Sequence, residues 1–161
     1  MIQRIQSVYL AFIIIILSAY CAFDIIHLVE IESGKKATEF ALNFFYFNTL
    51  ENGILIDSQI QIILILLVSV VIGLSIFILI NFKNRLKQMQ FTRLNLVAIL
   101  ALLTTFTVKA YQFIPNFNAE KLMATSIISI AFMLFTVYLN LRVFFLIKKD
   151  EELVKSADRI R

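Results

Sequence analysis

The sequence predicts an all-α membrane protein built as a four-helix transmembrane bundle. A small external loop between helices 1 and 2 favours a β-hairpin, and a cytoplasmic helical extension follows helix 4. Of the 161 residues, 60% are hydrophobic and 16% are charged, whereas soluble domains contain about 45–50% apolar and about 25% charged residues. A chain of this size cannot cover so much apolar surface with its own polar residues, so the composition excludes a soluble globule.

The positions of the charged residues predict the spans. Four stretches contain no Asp, Glu, Lys or Arg, namely 5–23, 58–82, 94–108 and 122–141. A bilayer core about 30 Å thick requires about 20 helical residues, and the third stretch reaches that length if it continues past Lys109 to Ile114. We therefore expect a single integral-membrane domain over 1–161, with spans at about 6–28, 59–82, 94–114 and 122–147, an external loop at 29–58 and a tail at 148–161.

The first stretch has an alternative interpretation as a cleaved signal peptide or a lipoprotein signal. Only Arg4 precedes it, and no small-residue cleavage site follows it. Tyr20 stands directly before Cys21, where a lipoprotein signal requires a small residue. The sequence therefore favours a retained span.

The basic residues predict the orientation of the bundle. Eleven of the fifteen Lys and Arg residues lie at the N-terminal end of span 1, between spans 2 and 3, or at the C-terminal end of span 4, and seven of the eleven acidic residues lie on the other side. The positive-inside rule then predicts cytoplasmic N and C termini. The net charge of +4 reflects this topology and gives no reason to expect a nucleic-acid partner. The candidate lipid-headgroup contacts are Arg4, Lys83, Arg85, Lys87, Arg93 and Arg142.

The first loop has the pattern of a β-hairpin. Residues 29–32 alternate between apolar and acidic side chains, and Ser33-Gly34-Lys35-Lys36 supplies a turn. Asn52-Gly53 and the apolar residues after it would add a third strand or lead into span 2. The densest aromatic cluster consists of Phe44, Phe45, Tyr46 and Phe47. We interpret it as a contact surface for a partner, or alternatively as an aromatic belt at the headgroups or the small core of this loop.

The tail over 148–161 contains no Gly or Pro and is expected to extend span 4 as a helix. Its narrow apolar stripe would rest on the loop between spans 2 and 3, on lipid, or on another protein, because a helix of this length is marginal alone in water. The candidate partner contacts in the tail are Leu153, Val154, Arg159 and Arg161.

The sequence offers little material for catalysis. One cysteine, one histidine and three glycines exclude an internal disulfide, a two-histidine metal site and a Gly-rich phosphate loop. We therefore predict no enzyme, no cofactor and no metal. Transporters generally carry a charged or broken-helix site near the bilayer midplane, and the four charge-free stretches offer none. The sequence therefore disfavours proton-coupled transport. Asn140 is expected to form a hydrogen bond across the bundle.

One polar cluster is predicted at the outer ends of the spans. Asp24 and His27 are three positions apart, so a helix would place them on one face, and Lys109 lies at a similar depth on span 3. One interpretation is an interfacial salt bridge that fixes helix packing. The other is a proton-sensitive or ligand-binding site.

The two ends of the chain carry the most distinctive sequence. The opening is Met1-Ile2-Gln3-Arg4-Ile5-Gln6, and the ending is Lys148-Lys149-Asp150-Glu151-Glu152-Leu153-Val154 followed by Ser156 and Asp158-Arg159. Together they resemble an uncharacterised four-span family of Bacteroidetes bacteria. The resemblance implies a bacterial inner-membrane location and provides no catalytic residues to carry over to this chain.

The sequence therefore favours a non-enzymatic accessory or scaffold subunit of a larger membrane or envelope complex, with membrane lipids and other integral membrane proteins as partners. The alternative hypothesis is a small transporter, channel or lipid-binding protein that uses Asp24, His27 and Lys109.

Overall fold

The structure, a computed structural model, describes residues 2–32, 36–82, 84–114 and 124–158. These ranges contain four helices and a small sheet that is inserted in the chain between the first and second of them. In chain order the elements are α1 (Ile2–Ala22), β1 (Ile26–Glu32), β2 (Lys36–Leu42), β3 (Tyr46–Glu51), β4 (Ile54–Ile60), α2 (Ile62–Ile80), α3 (Arg85–Phe113) and α4 (Ala124–Asp158).

All four helices are long and apolar enough to cross a membrane. Between 28% and 33% of the residues in each candidate span are buried within the protein. The remaining surface is largely apolar, because large side chains such as Ile15, Leu66 and Val97 are more than 60% exposed. Lipid is the solvent that suits such a surface, so the fold fits a multi-pass membrane protein.

The helix ends differ from the expected span ends where strands compete with helix. Helix α1 ends at Ala22 rather than near residue 28, because the alternating residues after it pair with β2 from Ile26 onward. Helix α2 likewise begins at Ile62, since the residues before it form β4.

Helix α3 begins earlier than the expected span, at Arg85, so most of the basic segment expected to connect spans 2 and 3 is helical. The Asn84 side chain caps this helix by accepting a hydrogen bond from the Lys87 backbone N–H at 3.2 Å. The prediction that the tail extends span 4 as a helix is confirmed through Asp158.

The sheet is a four-stranded antiparallel meander in the order β1-β2-β3-β4. The predicted hairpin corresponds to β1 and β2, and the predicted extra strand corresponds to β4. The expectation missed β3, which begins with Tyr46 and Phe47 of the aromatic cluster and continues to Glu51. Asn52 and Gly53 both have positive φ angles, of 51° and 80°, which is the backbone that a two-residue hairpin between β3 and β4 requires.

Long-range contacts show how the helices are arranged. The Tyr20 hydroxyl, near the end of α1, donates a hydrogen bond to the Ser129 backbone carbonyl near the start of α4. Arg85, the first residue of α3, pairs with Asp150 near the end of α4. Helix α4 is therefore antiparallel to both α1 and α3. The sheet lies at the end of the bundle where α1 and α3 end, and the start of α1 and the end of α4 lie at the opposite end.

Aromatic side chains join the sheet to the bundle. Phe44 and Phe47 are 0% and 1% exposed, and both rings meet Phe106 of α3 edge-on, at 5.6 and 5.9 Å between centroids. The Asn43 side chain accepts hydrogen bonds from two backbone N–H groups of the turn between β2 and β3. This turn holds the two phenylalanines against α3, so sheet and helices share one core.

Candidate functional site

The structure does not bring the predicted polar cluster together. Asp24 lies in the turn after α1 and His27 lies in β1, so the expectation that they share a helix face is wrong. Asp24 accepts a hydrogen bond from the Asn43 side chain at 3.3 Å. The His27 Nε2 atom lies 3.7 Å from a carboxylate oxygen of Glu39 on the neighbouring strand. The physical reason is the early end of α1, which turns this segment into sheet.

The backbone of His27 is held by α4. Its N–H donates to the Ser126 hydroxyl at 2.8 Å, and that hydroxyl donates back to the His27 carbonyl at 3.1 Å. Because β1 is an edge strand, this exchange satisfies two backbone groups that would otherwise have no partner strand. The environment of His27 is therefore consistent with a structural role.

Lys109 occupies a different place, in a polar cleft at the sheet end of the bundle. The cleft has a volume of about 420 Å³ and lies between the start of α2, the end of α3 and one face of the sheet. Its floor consists of Phe40, Phe47 and Phe113. Its polar lining consists of Thr49, Asp57, Gln59, Gln61, Lys109 and Gln112. We name this site the Lys109 cleft.

Strand register explains which polar side chains reach the Lys109 cleft. Phe47 pairs with Gln59, and Thr49 pairs with Asp57, across β3 and β4. Residues two apart on a strand point to the same face, so these four side chains face α3 together. The sequence contains this alternation over 57–61, but only the pairing with β3 shows which face it presents.

The charged groups of the Lys109 cleft have few partners within the protein. Asp57 accepts a hydrogen bond from the Gln59 side-chain amide at 3.1 Å and is exposed. Lys109 is half-buried and forms no ion pair or hydrogen bond with the described residues. An ammonium group and a carboxylate therefore line one cavity and are available to a ligand.

A second cavity, of about 240 Å³, lies between α3 and α4 and is apolar. Phe106, Met133 and Leu134 are among its lining residues. It faces the surface that the helices present to lipid, and its described lining contains no charged group. Its chemistry is that of the lipid-facing surface around it.

The opposite half of the bundle contains buried polar side chains that sequence reasoning largely missed. They are Gln6, Ser75, Gln88, Thr92, Asn95 and Asn140, each at most 4% exposed. The Asn95 amide donates to the Ser75 hydroxyl at 3.1 Å, and the Gln88 amide donates to the Ile78 carbonyl at 3.0 Å. Both bonds join α2 to α3, which is the contribution expected of polar residues inside a membrane bundle.

The expected hydrogen bond of Asn140 across the bundle is absent from the part of the chain that the structure describes. Neither atom of its amide group has a hydrogen-bond partner there, and the same holds for Asn95 Oδ1 and Gln6 Nε2. The spacing of residues in α3 could have located these buried polar side chains. Gln88, Thr92 and Asn95 continue the buried stripe of Ile99 and Leu102 at intervals of three and four residues.

The aromatic cluster divides into buried and exposed members. Phe44 and Phe47 are core residues, which corrects the expectation that they contact a partner. Their packing matches the alternative interpretation as the core of this loop. Phe45 is half-buried, and Tyr46 is 44% exposed, so only these two remain candidate contacts.

The predicted tail contacts Leu153 and Val154 are exposed on the last turns of α4, while Arg159 and Arg161 lie outside the described residues. Among the predicted headgroup contacts, Arg85 instead forms an ion pair with Asp150 at 2.8 Å. The Arg93 guanidinium lies 5.1 Å from the centre of the Phe144 ring. Lys87 and Arg142 are exposed. Lys83 and the side chain of Arg4 fall outside the described part of the chain.

The described residues contain no group of three or more His, Cys, Asp or Glu side chains that could hold a metal ion. The arrangement is suited to binding, through the Lys109 cleft and the exposed surfaces of the sheet and of α4.

The fold and these sites define a small membrane protein of the four-span class, with a four-stranded sheet at one end of its bundle. The chain belongs to the family described as Domain of unknown function (DUF4293), whose model matches residues 2–160. This confirms the expected resemblance to an uncharacterised family. No curated protein and no solved structure matches the chain.

Proposed function

We propose that the protein is a non-enzymatic accessory or scaffold subunit of a larger protein complex in the bacterial inner membrane. The observation that carries this proposal is the exposure of β4. All seven of its residues are exposed, and the strand forms one edge of the sheet. Four of its side chains are large and apolar, namely Ile54, Leu55, Ile56 and Ile60, with exposures from 56% to 72%.

An exposed apolar edge strand favours a protein partner. Such an edge presents unpaired backbone N–H and C=O groups, and folded proteins normally cover it or place charges on it. The only charged residue of β4 is Asp57, which faces the Lys109 cleft. The occupant that satisfies both the backbone edge and the apolar side chains is an extended segment of another protein that adds a strand. Tyr46, the register partner of Ile60, adds an exposed aromatic ring beside this edge.

Photo-crosslinking in cells tests this proposal. A benzoylphenylalanine residue at Ile56 is expected to capture one reproducible membrane-protein partner, identified by mass spectrometry. The same residue at Phe132, which is 50% exposed in the first half of α4, serves as the lipid-facing control. Crosslinks from Ile56 to lipid alone, or to the same background as Phe132, would contradict the proposal. Ile56→Glu should abolish co-purification of the partner without lowering the melting temperature.

The proposal includes the orientation of the chain. The start of α1 and the end of α4 lie opposite the sheet, and most of the basic residues of the sequence flank these two segments or connect α2 to α3, which supports cytoplasmic termini. A fluorescent protein fused after Arg161 should be bright, and alkaline phosphatase at the same position should be inactive. Active phosphatase at this position would contradict cytoplasmic termini and would indicate the opposite orientation.

The alternative of a transporter or channel built on Asp24, His27 and Lys109 no longer has its three-residue site. Asp24 contacts Asn43, and His27 contacts Glu39 and Ser126. Lys109 alone retains a cavity that can receive a ligand.

A further inference from the structure

We propose that the Lys109 cleft binds the phosphoethanolamine headgroup of a membrane phospholipid. In this complex Lys109 pairs with the lipid phosphate, and Asp57 accepts hydrogen bonds from the lipid ammonium group. The inference does not depend on the accessory role proposed above, because it rests on a different surface.

The Lys109 cleft lies where a lipid headgroup, rather than an acyl chain, is expected. Gln61, in its wall, immediately precedes Ile62, the first residue of the apolar helix α2. Val108 and Tyr111, on either side of Lys109 in α3, are 54% and 72% exposed. Apolar helix surface therefore ends beside the cavity, and tyrosine is enriched at the membrane–water interface.

The charges of the cavity match a zwitterion. Its described lining contains one cation, Lys109, and one anion, Asp57. A purely anionic headgroup would approach the Asp57 carboxylate, and a purely cationic ligand would approach the Lys109 ammonium. Phosphoethanolamine carries both charges. Its ammonium group also supplies N–H donors to a carboxylate, which the quaternary nitrogen of phosphocholine cannot do.

The remaining lining supports the same ligand. The side-chain amides of Gln59 and Gln112 and the hydroxyl of Thr49 offer donors to phosphate and glycerol oxygens. Phe40 and Phe47, each at most 5% exposed, provide an apolar base beneath these polar groups. The volume of about 420 Å³ falls within the range of about 300–1,000 Å³ that small-ligand sites occupy.

Native mass spectrometry of the full-length protein in detergent tests the assignment. The probes are phosphatidylethanolamine, phosphatidylglycerol and phosphatidylcholine with identical acyl chains. We expect phosphatidylethanolamine to bind about tenfold more tightly than the other two lipids. Equal binding of the three lipids would overturn the proposal.

Substitutions of Lys109 and Asp57 test which group of the lipid each of the two charges binds. Lys109→Gln should lower the affinity for phosphatidylethanolamine about tenfold, and Lys109→Arg should restore most of it. Asp57→Asn should change the selectivity, because the cavity then carries only a positive charge and should prefer phosphatidylglycerol. Unchanged selectivity in Asp57→Asn would overturn the assignment of the ammonium group.

Matched controls separate binding from folding and distinguish the source of the headgroup. Lys149→Gln removes an exposed charge at the opposite end of the bundle and should leave the affinity for phosphatidylethanolamine unchanged. Melting temperatures of the Lys109 and Asp57 variants should match the parent, since neither residue pairs with a charged residue in the described structure. Free phosphoethanolamine should compete only weakly. Competition at the same concentrations as the lipid would overturn the lipid assignment in favour of a soluble ligand.

Discussion

The phenol of Tyr20 donates a hydrogen bond of 2.7 Å to the backbone carbonyl of Ser129, which lies 109 positions further along the chain. The same ring meets Phe44 edge-on, at 6.2 Å between centroids and 86° between planes. Tyr20 of α1 therefore contacts both α4 and the turn between β2 and β3, in which Phe44 lies. The hydrogen bond holds the first helix of the bundle, α1, against the last, α4.

Tyr20→Phe should destabilise the protein modestly. The substitution keeps the ring contact with Phe44 but removes the hydrogen bond to α4, which is worth about 0.5–1.5 kcal/mol. Thermal unfolding in detergent measures the change. Tyr111→Phe, at a position that is 72% exposed, is the matched control and should leave the melting temperature unchanged. Equal effects of the two substitutions would contradict the role assigned to Tyr20.

Phe106→Ala should separate the sheet from the bundle. Phe106 is 3% exposed and contacts both Phe44 and Phe47, so its loss leaves a cavity that costs about 3–5 kcal/mol. Limited proteolysis within residues 36–60, together with thermal unfolding, reports the change. Phe132→Ala, at a half-exposed position of α4, should have little effect on either measurement. A sheet that stays protected in Phe106→Ala would show that α3 does not hold it.

Asn140→Leu should stabilise the protein. The Asn140 side chain is 0% exposed, and its amide has no hydrogen-bond partner among the described residues. Leaving such groups unpaired costs about 1–3 kcal/mol, and an apolar side chain of similar size removes that cost. Asn95→Leu is the comparison and should stabilise less, because Asn95 already donates to Ser75. A lower melting temperature for Asn140→Leu would indicate that this amide has a partner, such as bound water.

The Arg85–Asp150 pair should contribute measurable coupling between α3 and α4. Its N···O distance is 2.8 Å, and the two side chains are 27% and 18% exposed. A double-mutant cycle with Arg85→Gln and Asp150→Asn should give about 0.5–1 kcal/mol. The Lys148–Glu152 pair, at 3.9 Å and more than half exposed, should give a smaller value. Equal coupling energies in the two cycles would contradict the expectation that the less exposed Arg85–Asp150 pair is the stronger one.

The helices were predictable because their cause is local. Long runs without charge can satisfy their backbone groups in lipid only as helices, so four such runs indicate four spans. The tail was predictable for a similar reason, since it lacks residues that end a helix. The end of α1 was missed because residues up to 28 were assigned to the span, whereas Ile26, His27 and Leu28 pair with β2 as the start of β1.

The candidate site could be predicted only in part. Lys109 was recognised as a charge at the end of a span, but its assigned neighbours Asp24 and His27 were wrong. Its actual companion Asp57 faces the same cavity because β4 pairs with β3 in one particular register. Phe47 shows the same dependence, since an aromatic residue in a loop is equally suited to the surface and to the core until its contact with Phe106 is known.

The sequence by itself determined that this chain requires four apolar helices and how its charges are distributed around them, because both follow from composition and spacing. Only the tertiary structure decided which side chains meet. Strand pairing turned the loop into a sheet at the end of the bundle and placed Asp57 in the same cavity as Lys109. Helix packing buried Asn95 and Asn140 in the other half. Contacts between residues far apart in the chain depend on register and packing, which no local pattern specifies.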